Sequence, residues 1–194
     1  MAAAAAEKAA QQGARFAMAA ALYSEGWALQ NLGQFRESMR VAEQSEQISR
    51  SLGDRTGVSR VLNLTGAALM STGDLKGALK KYQAALSVSR ETGSKLGMST
   101  ATNNIANVLL VRVDLSGARK MYEQAVSLFH EVGDKDYEGF ALTNLSHGRV
   151  CGCKAIRRRD RGASNSRGGS RCAIPSVGSE TSMAARFIYP TLRH

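Results

Sequence analysis

The sequence predicts an all-α fold, an α-α superhelix of antiparallel helix hairpins, followed by a disordered C-terminal tail. Three observations predict it. Glycines stand at Gly13, Gly53, Gly93 and Gly133, each forty residues after the last, and a basic residue follows two positions later each time (Arg15, Arg55, Lys95, Lys135). Inside each period the apolar residues keep helical spacing. Beyond residue 149 both patterns stop and Gly, Ser and Arg take over. One register held over four copies marks a stacked-repeat architecture.

Each period holds two helices. In the second unit Leu75, Ala78, Leu79, Tyr82, Ala85 and Leu86 form one apolar stripe at i, i+3, i+4, i+7, i+10 and i+11. Asp74 stands where an N-cap is wanted, because its carboxylate can accept from the first free backbone N–H groups. Gly93 stands where the chain must turn left-handed to end the helix. The segment before it, Val58 to Ser71, carries Val58, Val61, Leu62, Leu69 and Met70 at helical spacing. Gly73 separates the two. The unit is therefore helix A, a tight turn, helix B and a short linker. The same register places a partial unit at 2–18, full units at 19–58, 59–98 and 99–138, and the start of a fourth at 139–149.

The unit resembles a tetratricopeptide repeat. That pattern has a small residue in helix A, a large apolar residue three on, a turn glycine, and Ala–aromatic–Ala in helix B. Gly66, Leu69, Gly73, Ala78, Tyr82 and Ala85 match it in the second unit, and Ala106, Leu109, Val113, Ala118, Tyr122 and Ala125 in the third. The first unit fits less well, with Gly26, Leu29, Gly33, Ser38, Ala42 and Ser45. The physical reasons are local: small residues let two helices approach, and large ones fill the gap left by the neighbour. The period of forty is longer than the usual thirty-four. It is similar to the longer repeats of kinesin light chains, of G-protein-regulating spindle scaffolds and of bacterial signalling proteins.

The array is expected to be open at both ends. Residues 2–12 align with the last part of a helix B whose helix A is missing. Leu142, Leu145 and Ser146 start a fourth helix A, and no turn glycine or Ala–Tyr–Ala helix follows. Solenoid units bury their faces on one another, so an uncapped end invites stacking, and self-association is an expectation. Residues 150–194 lack an apolar period and are expected to be disordered.

Composition narrows the function classes. The net charge of +10 divides into +3 over residues 1–149 and +7 over residues 150–194, so the basic excess belongs mainly to the tail. The run Arg157–Arg159 with Arg161, Arg167 and Arg171 lacks the interleaved aromatics that grip single strands. It reads as a solvated segment in preference to a nucleic-acid contact. His147, Cys151, Cys153 and Cys172 are spaced unlike a structural zinc site; neither a metal nor a cofactor is assigned. There is no phosphate loop, no HExxH and no placeable Ser–His–Asp set, so an enzyme is not expected. No apolar stretch has membrane-spanning length, and Met1 and five alanines are followed at once by Glu7 and Lys8, unlike a secretory signal. The cytoplasm is the expected compartment.

What remains is a protein-binding scaffold. The alternative is a regulatory fragment of a larger signalling protein such as a kinase, cyclase or transcription regulator. The resemblance implies that helix A of each unit lines a concave groove taking a peptide or helix of a partner. By register the groove falls on Tyr23, Trp27 and Gln30 in the first unit, and on Arg60, Asn63, Ala67 and Met70 in the second. In the third it falls on Thr100, Asn103, Asn104 and Asn107, and in the fourth on Thr143, Asn144 and His147. An Asn amide both donates and accepts. The recurring Asn63, Asn103, Asn104, Asn107 and Asn144 therefore suit either pairing with an extended peptide backbone, which resembles an asparagine ladder, or bonding to neighbouring helices and water. Trp27, the only tryptophan, suits either a binding anchor or packing against a preceding helix. Arg60 is the one clear cation, which does not support a clamp for a C-terminal carboxylate.

Overall fold

The computed structural model describes residues 2–146. The tail, with its arginine run and three cysteines, and His147 lie outside the described residues. The helices are α1 (Ala2–Asn31), α2 (Phe35–Ser51), α3 (Arg55–Ser71), α4 (Leu75–Glu91), α5 (Lys95–Val111) and α6 (Leu115–Val132), followed by α7 over residues 135–146. Odd-numbered helices are the A helices and even-numbered ones the B helices. From α1 to α6 each packs on the next, and α1 and α3, and α3 and α5, also touch. The result is an all-α superhelix of antiparallel hairpins.

Local chemistry sets the boundaries. The carboxylates of Asp54, Asp74 and Asp114 accept from the backbone N–H of Gly57, Gly77 and Gly117 at 2.8–2.9 Å, and the Ser94 hydroxyl accepts from that of Gly97 at 3.2 Å. Each bond satisfies one of the orphan N–H groups that open a helix. Gly73 ends α3 with φ +88°, and Gly93 ends α4 with φ +67°. Val113 occupies the same turn position after α5 with φ +65°.

Gly13 does not act as the later glycines do. Gly13 keeps the glycine register, yet α1 runs through it as one helix of thirty residues, about 45 Å long. The reason is the residue that follows. Gly53, Gly93 and Gly133 precede Asp54, Ser94 and Asp134, which can cap a new helix; Gly13 precedes Ala14, which cannot. With alanines on both sides, continuing the helix costs less than breaking it. The N-terminal half of α1 therefore overhangs the first hairpin, and residues 7–18 are all exposed.

The core lies between A and B helices. Ala78, Tyr82, Ile105 and Val108 form one cluster, with Leu69, Met70, Leu75, Leu79 and Leu86 packed against it. Ala106, Ala118 and Tyr122 form the corresponding cluster one unit on. A Cβ on Gly66 would stand 2.6 Å from the Tyr82 ring, which is why a glycine sits opposite that tyrosine. The recurring basic residue ties the start of helix A to the end of helix B in the same hairpin: Arg55 pairs with Glu91, and Lys95 with Glu131 at 3.0 Å. These bridges are exposed and each contributes less than about 1 kcal/mol.

Candidate functional site

The A helices line a groove of about 390 Å³. α1 supplies Tyr23 and Trp27, α3 supplies Thr56, Ser59, Arg60 and Asn63, α5 supplies Leu96, Thr100, Asn103 and Asn104, and α7 supplies Tyr137, Phe140 and Asn144. Helical spacing explains the selection, since residues three, four and seven apart share a face.

The groove has apolar ends and a polar centre. At one end the Tyr23 and Trp27 rings meet edge to face at 6.3 Å between centroids. Both pack on Ala42, Val61 and Leu64, so Trp27 is seated by this chain's own first and second units while still lining the groove. The Arg60 guanidinium lies 4.3 Å from the Tyr23 ring centroid, where the ring face favours a cation. At the other end Tyr137 stacks on Phe129 at 5.3 Å, beside Phe140 and the half-exposed Leu96.

Between the ends the amides form two rungs. Asn104 Nδ2 donates to Asn63 Oδ1 and Asn144 Nδ2 donates to Asn103 Oδ1, each at 3.4 Å and each between successive A helices. Asn63 Nδ2 also donates to the Ser59 carbonyl at 3.2 Å. Bonds of 3.4 Å are at the long end of the useful range; Asn63 and Asn104 are buried, and Asn103 and Asn144 are half-buried. Among the described residues, Arg60 is the one charged side chain in the lining.

Three expected groove residues belong to the packing instead. Gln30 is buried, and its Nε2 donates to the Leu64 carbonyl at 2.7 Å. Met70 packs against the cluster around Tyr82. Asn107 is buried, and its Oδ1 accepts from the Tyr122 hydroxyl at 2.5 Å. All three sit near the C-terminal ends of their helices, where the tight turn presses helix A against helix B. Ala67 is buried in α3, and Thr143 does not line the groove. The groove also takes in Thr56, Leu96, Tyr137 and Phe140, which the sequence pattern had not singled out. Their signal was present, because Thr56 and Leu96 are forty apart, as are Thr100 and Phe140. Both pairs lie toward the N-terminal end of the same helix faces.

Burial pushes the Tyr122 phenol above the ordinary tyrosine range. The group is neutral and donates to Asn107. Among the described residues no buried side-chain nitrogen or oxygen lacks a partner.

No protein-family model matches the chain, and no curated protein matches it. Solved structures do. The apo form of RapI superposes with a TM-score of 0.63 at 15% identity, over 90% of this chain and 43% of that one. Aspartyl phosphate phosphatase F from Bacillus subtilis gives 0.61 at 14% identity, over 77% of this chain and 42% of that one. BtubC (BKLC) from P. vanneervenii gives 0.54 at 15%, over 80% and 68%. At these identities the likeness is one of fold. This chain has a helical-repeat fold. It spans less than half the length of the first two structures. No helix among the described residues is long and apolar enough to cross a membrane.

Proposed function

We propose that this chain is a tetratricopeptide-type scaffold of the forty-residue kind, working in the cytoplasm, that holds an extended segment of a partner protein in the groove of its A helices. One observation carries the reading: a groove with aromatic ends whose centre is lined by amides and hydroxyls on three successive A helices. Extended backbone presents N–H and C=O groups at regular intervals, and Asn side chains answer both. The aromatic ends supply the anchors that dominate binding energy at interfaces. The described lining residues are mainly aromatic, amide and hydroxyl side chains with one guanidinium, a set that suits binding.

The test is capture of partners by the full chain, compared with Asn103→Ala and with Arg60→Ala. Both side chains are at least partly exposed, so helical circular dichroism should be retained. Partners lost in both variants support the groove. Partners retained by both, and lost only when residues 150–194 are removed, would move the function to the tail and sink the reading.

A second reading has its own support. The chain spans 43% of RapI and 42% of aspartyl phosphate phosphatase F, which suits the repeat portion of a larger regulator. The groove would then sense a partner on behalf of a further domain. An effector domain in the same reading frame distinguishes this from a free-standing scaffold.

A further inference from the structure

A second cleft, of about 370 Å³, lies on the other side of the Tyr23–Arg60 pair. One wall is the stretch of α1 after Gly13, with Phe16, Ala17 and Ala20, and the rest of the lining includes Val61 together with the polar Ser45, Ser49 and Asp54. Tyr23 and Arg60 line both this cleft and the groove. Phe16 is 45% exposed. A lone exposed aromatic would mean little, but this one borders a cavity of the size that takes small ligands.

The repeat register shows what the cleft is. Phe16, Ala20, Tyr23, Gly57 and Arg60 stand forty residues before Thr56, Arg60, Asn63, Gly97 and Thr100, and each of those later residues lines the groove. The cleft is therefore the same groove continued one unit toward the N-terminus. Its chemistry differs, because Phe16 replaces Thr56, Ala20 replaces Arg60 and Tyr23 replaces Asn63. This stretch of wall is apolar where the next is polar.

We propose that this cleft is a further subsite of the groove, taking an apolar side chain of the partner segment just beyond the residue that lies against Arg60. The inference rests on the peptide-binding reading of the groove. A partner segment would then carry an apolar residue at each end and polar residues between. Arg60, at the junction, faces the segment where it passes from one compartment to the other.

The test uses random dodecapeptides displayed on phage and selected on the full chain. Capped synthetic copies are titrated by the fluorescence of Trp27, the sole tryptophan, which touches Tyr23 at the junction. Ala20→Leu fills the cleft from an exposed helix position, and Phe16→Ala removes its wall. The selected peptides should share a terminal apolar residue. Both substitutions should weaken them about tenfold, the effect of one lost apolar side chain, and Asn103→Ala should weaken the same peptides. Peptides weakened by Asn103→Ala but untouched by both cleft variants would overturn the subsite and leave the groove reading standing. Peptides insensitive to Asn103→Ala and Arg60→Ala alike would overturn both. A chain that sediments as a dimer, and as a monomer after Phe16→Asp, would give the cleft to a second copy and overturn the subsite.

Discussion

Val113→Gly should stabilise this protein. Val113 has φ +65°, a region that a β-branched residue enters only under constraint. The turn supplies the constraint. The N–H of Val113 donates to the Leu110 carbonyl at 3.0 Å, and that of Asp114 to the Leu109 carbonyl at 2.9 Å. The turn at Gly73 makes the same two bonds, to Met70 at 3.1 Å and to Leu69 at 2.9 Å. Valine is thus held in a conformation that suits glycine. A left-handed L-residue costs about 1–2 kcal/mol. Glycine gives back about 0.5–1 kcal/mol through its freer unfolded chain. The Val113 side chain is 71% exposed, so little burial is lost. The net gain is about 1 kcal/mol, or about 2–4 °C for a domain of this size. Repeat arrays can unfold in stages, so urea melts followed by circular dichroism should be paired with hydrogen exchange in α5 and α6. Slower exchange is expected there first. Gly73→Val should lose a similar amount. A Val113→Gly chain no more stable than the parent, with Gly73→Val also neutral, would show that the turn relaxes freely and that no strain is stored in it.

Further perturbations test other contacts. Gln34 makes no side-chain cap bond at the start of α2, unlike the residues that cap α3 to α6; Gln34→Asp should add about 1 kcal/mol, read as a higher urea midpoint. A methyl group added at Gly13 would meet nothing within 4 Å, so Gly13→Ala should add roughly 0.8–1 kcal/mol to α1 and raise the helical signal. Gly66→Ala should do the reverse, since overpacking against Tyr82 costs about 1–3 kcal/mol and outweighs the same propensity gain. Tyr122→Phe strands the buried Asn107 acceptor and should cost about 1–3 kcal/mol in a denaturant melt. Because the folded pKa of Tyr122 lies above the unfolded one, its contribution is fully present below about pH 10 and is lost as pH rises past that value. Alkaline melts of Tyr122→Phe should lack that part of the decline.

The fold was legible because the helix ends carry their own chemistry. Asp54, Asp74, Ser94 and Asp114 name the helix starts, and each accepts from the backbone N–H of Gly57, Gly77, Gly97 or Gly117 three residues on. The small residues opposite Tyr82 and Tyr122 name the hairpin contacts. Gly13 ends no helix, because a glycine permits a turn without requiring one. The requirement comes from the capping residue after it, and Ala14 supplies none.

The site was legible in one direction only. Periodicity says which face of helix A points inward, and Tyr23, Trp27, Arg60, Asn63, Asn103, Asn104 and Asn144 do line the groove. It does not say where along the axis that face opens. The A–B turns bring paired helices together at one end, and there Gln30, Met70 and Asn107 are consumed by the Leu64 carbonyl, the Tyr82 cluster and the Tyr122 hydroxyl. The groove opens toward the opposite end of the A helices, which is where Thr56, Leu96 and Phe140 stand. The asparagines differ in the same terms. Asn107 has a short bond inside its own hairpin, whereas Asn63, Asn103, Asn104 and Asn144 share long ones between units. Asn63 and Asn104 are as buried as Asn107, at 7%, 4% and 8% exposed, whereas Asn103 and Asn144 are half-buried, so within the polar row only these last two offer their amides to the open groove.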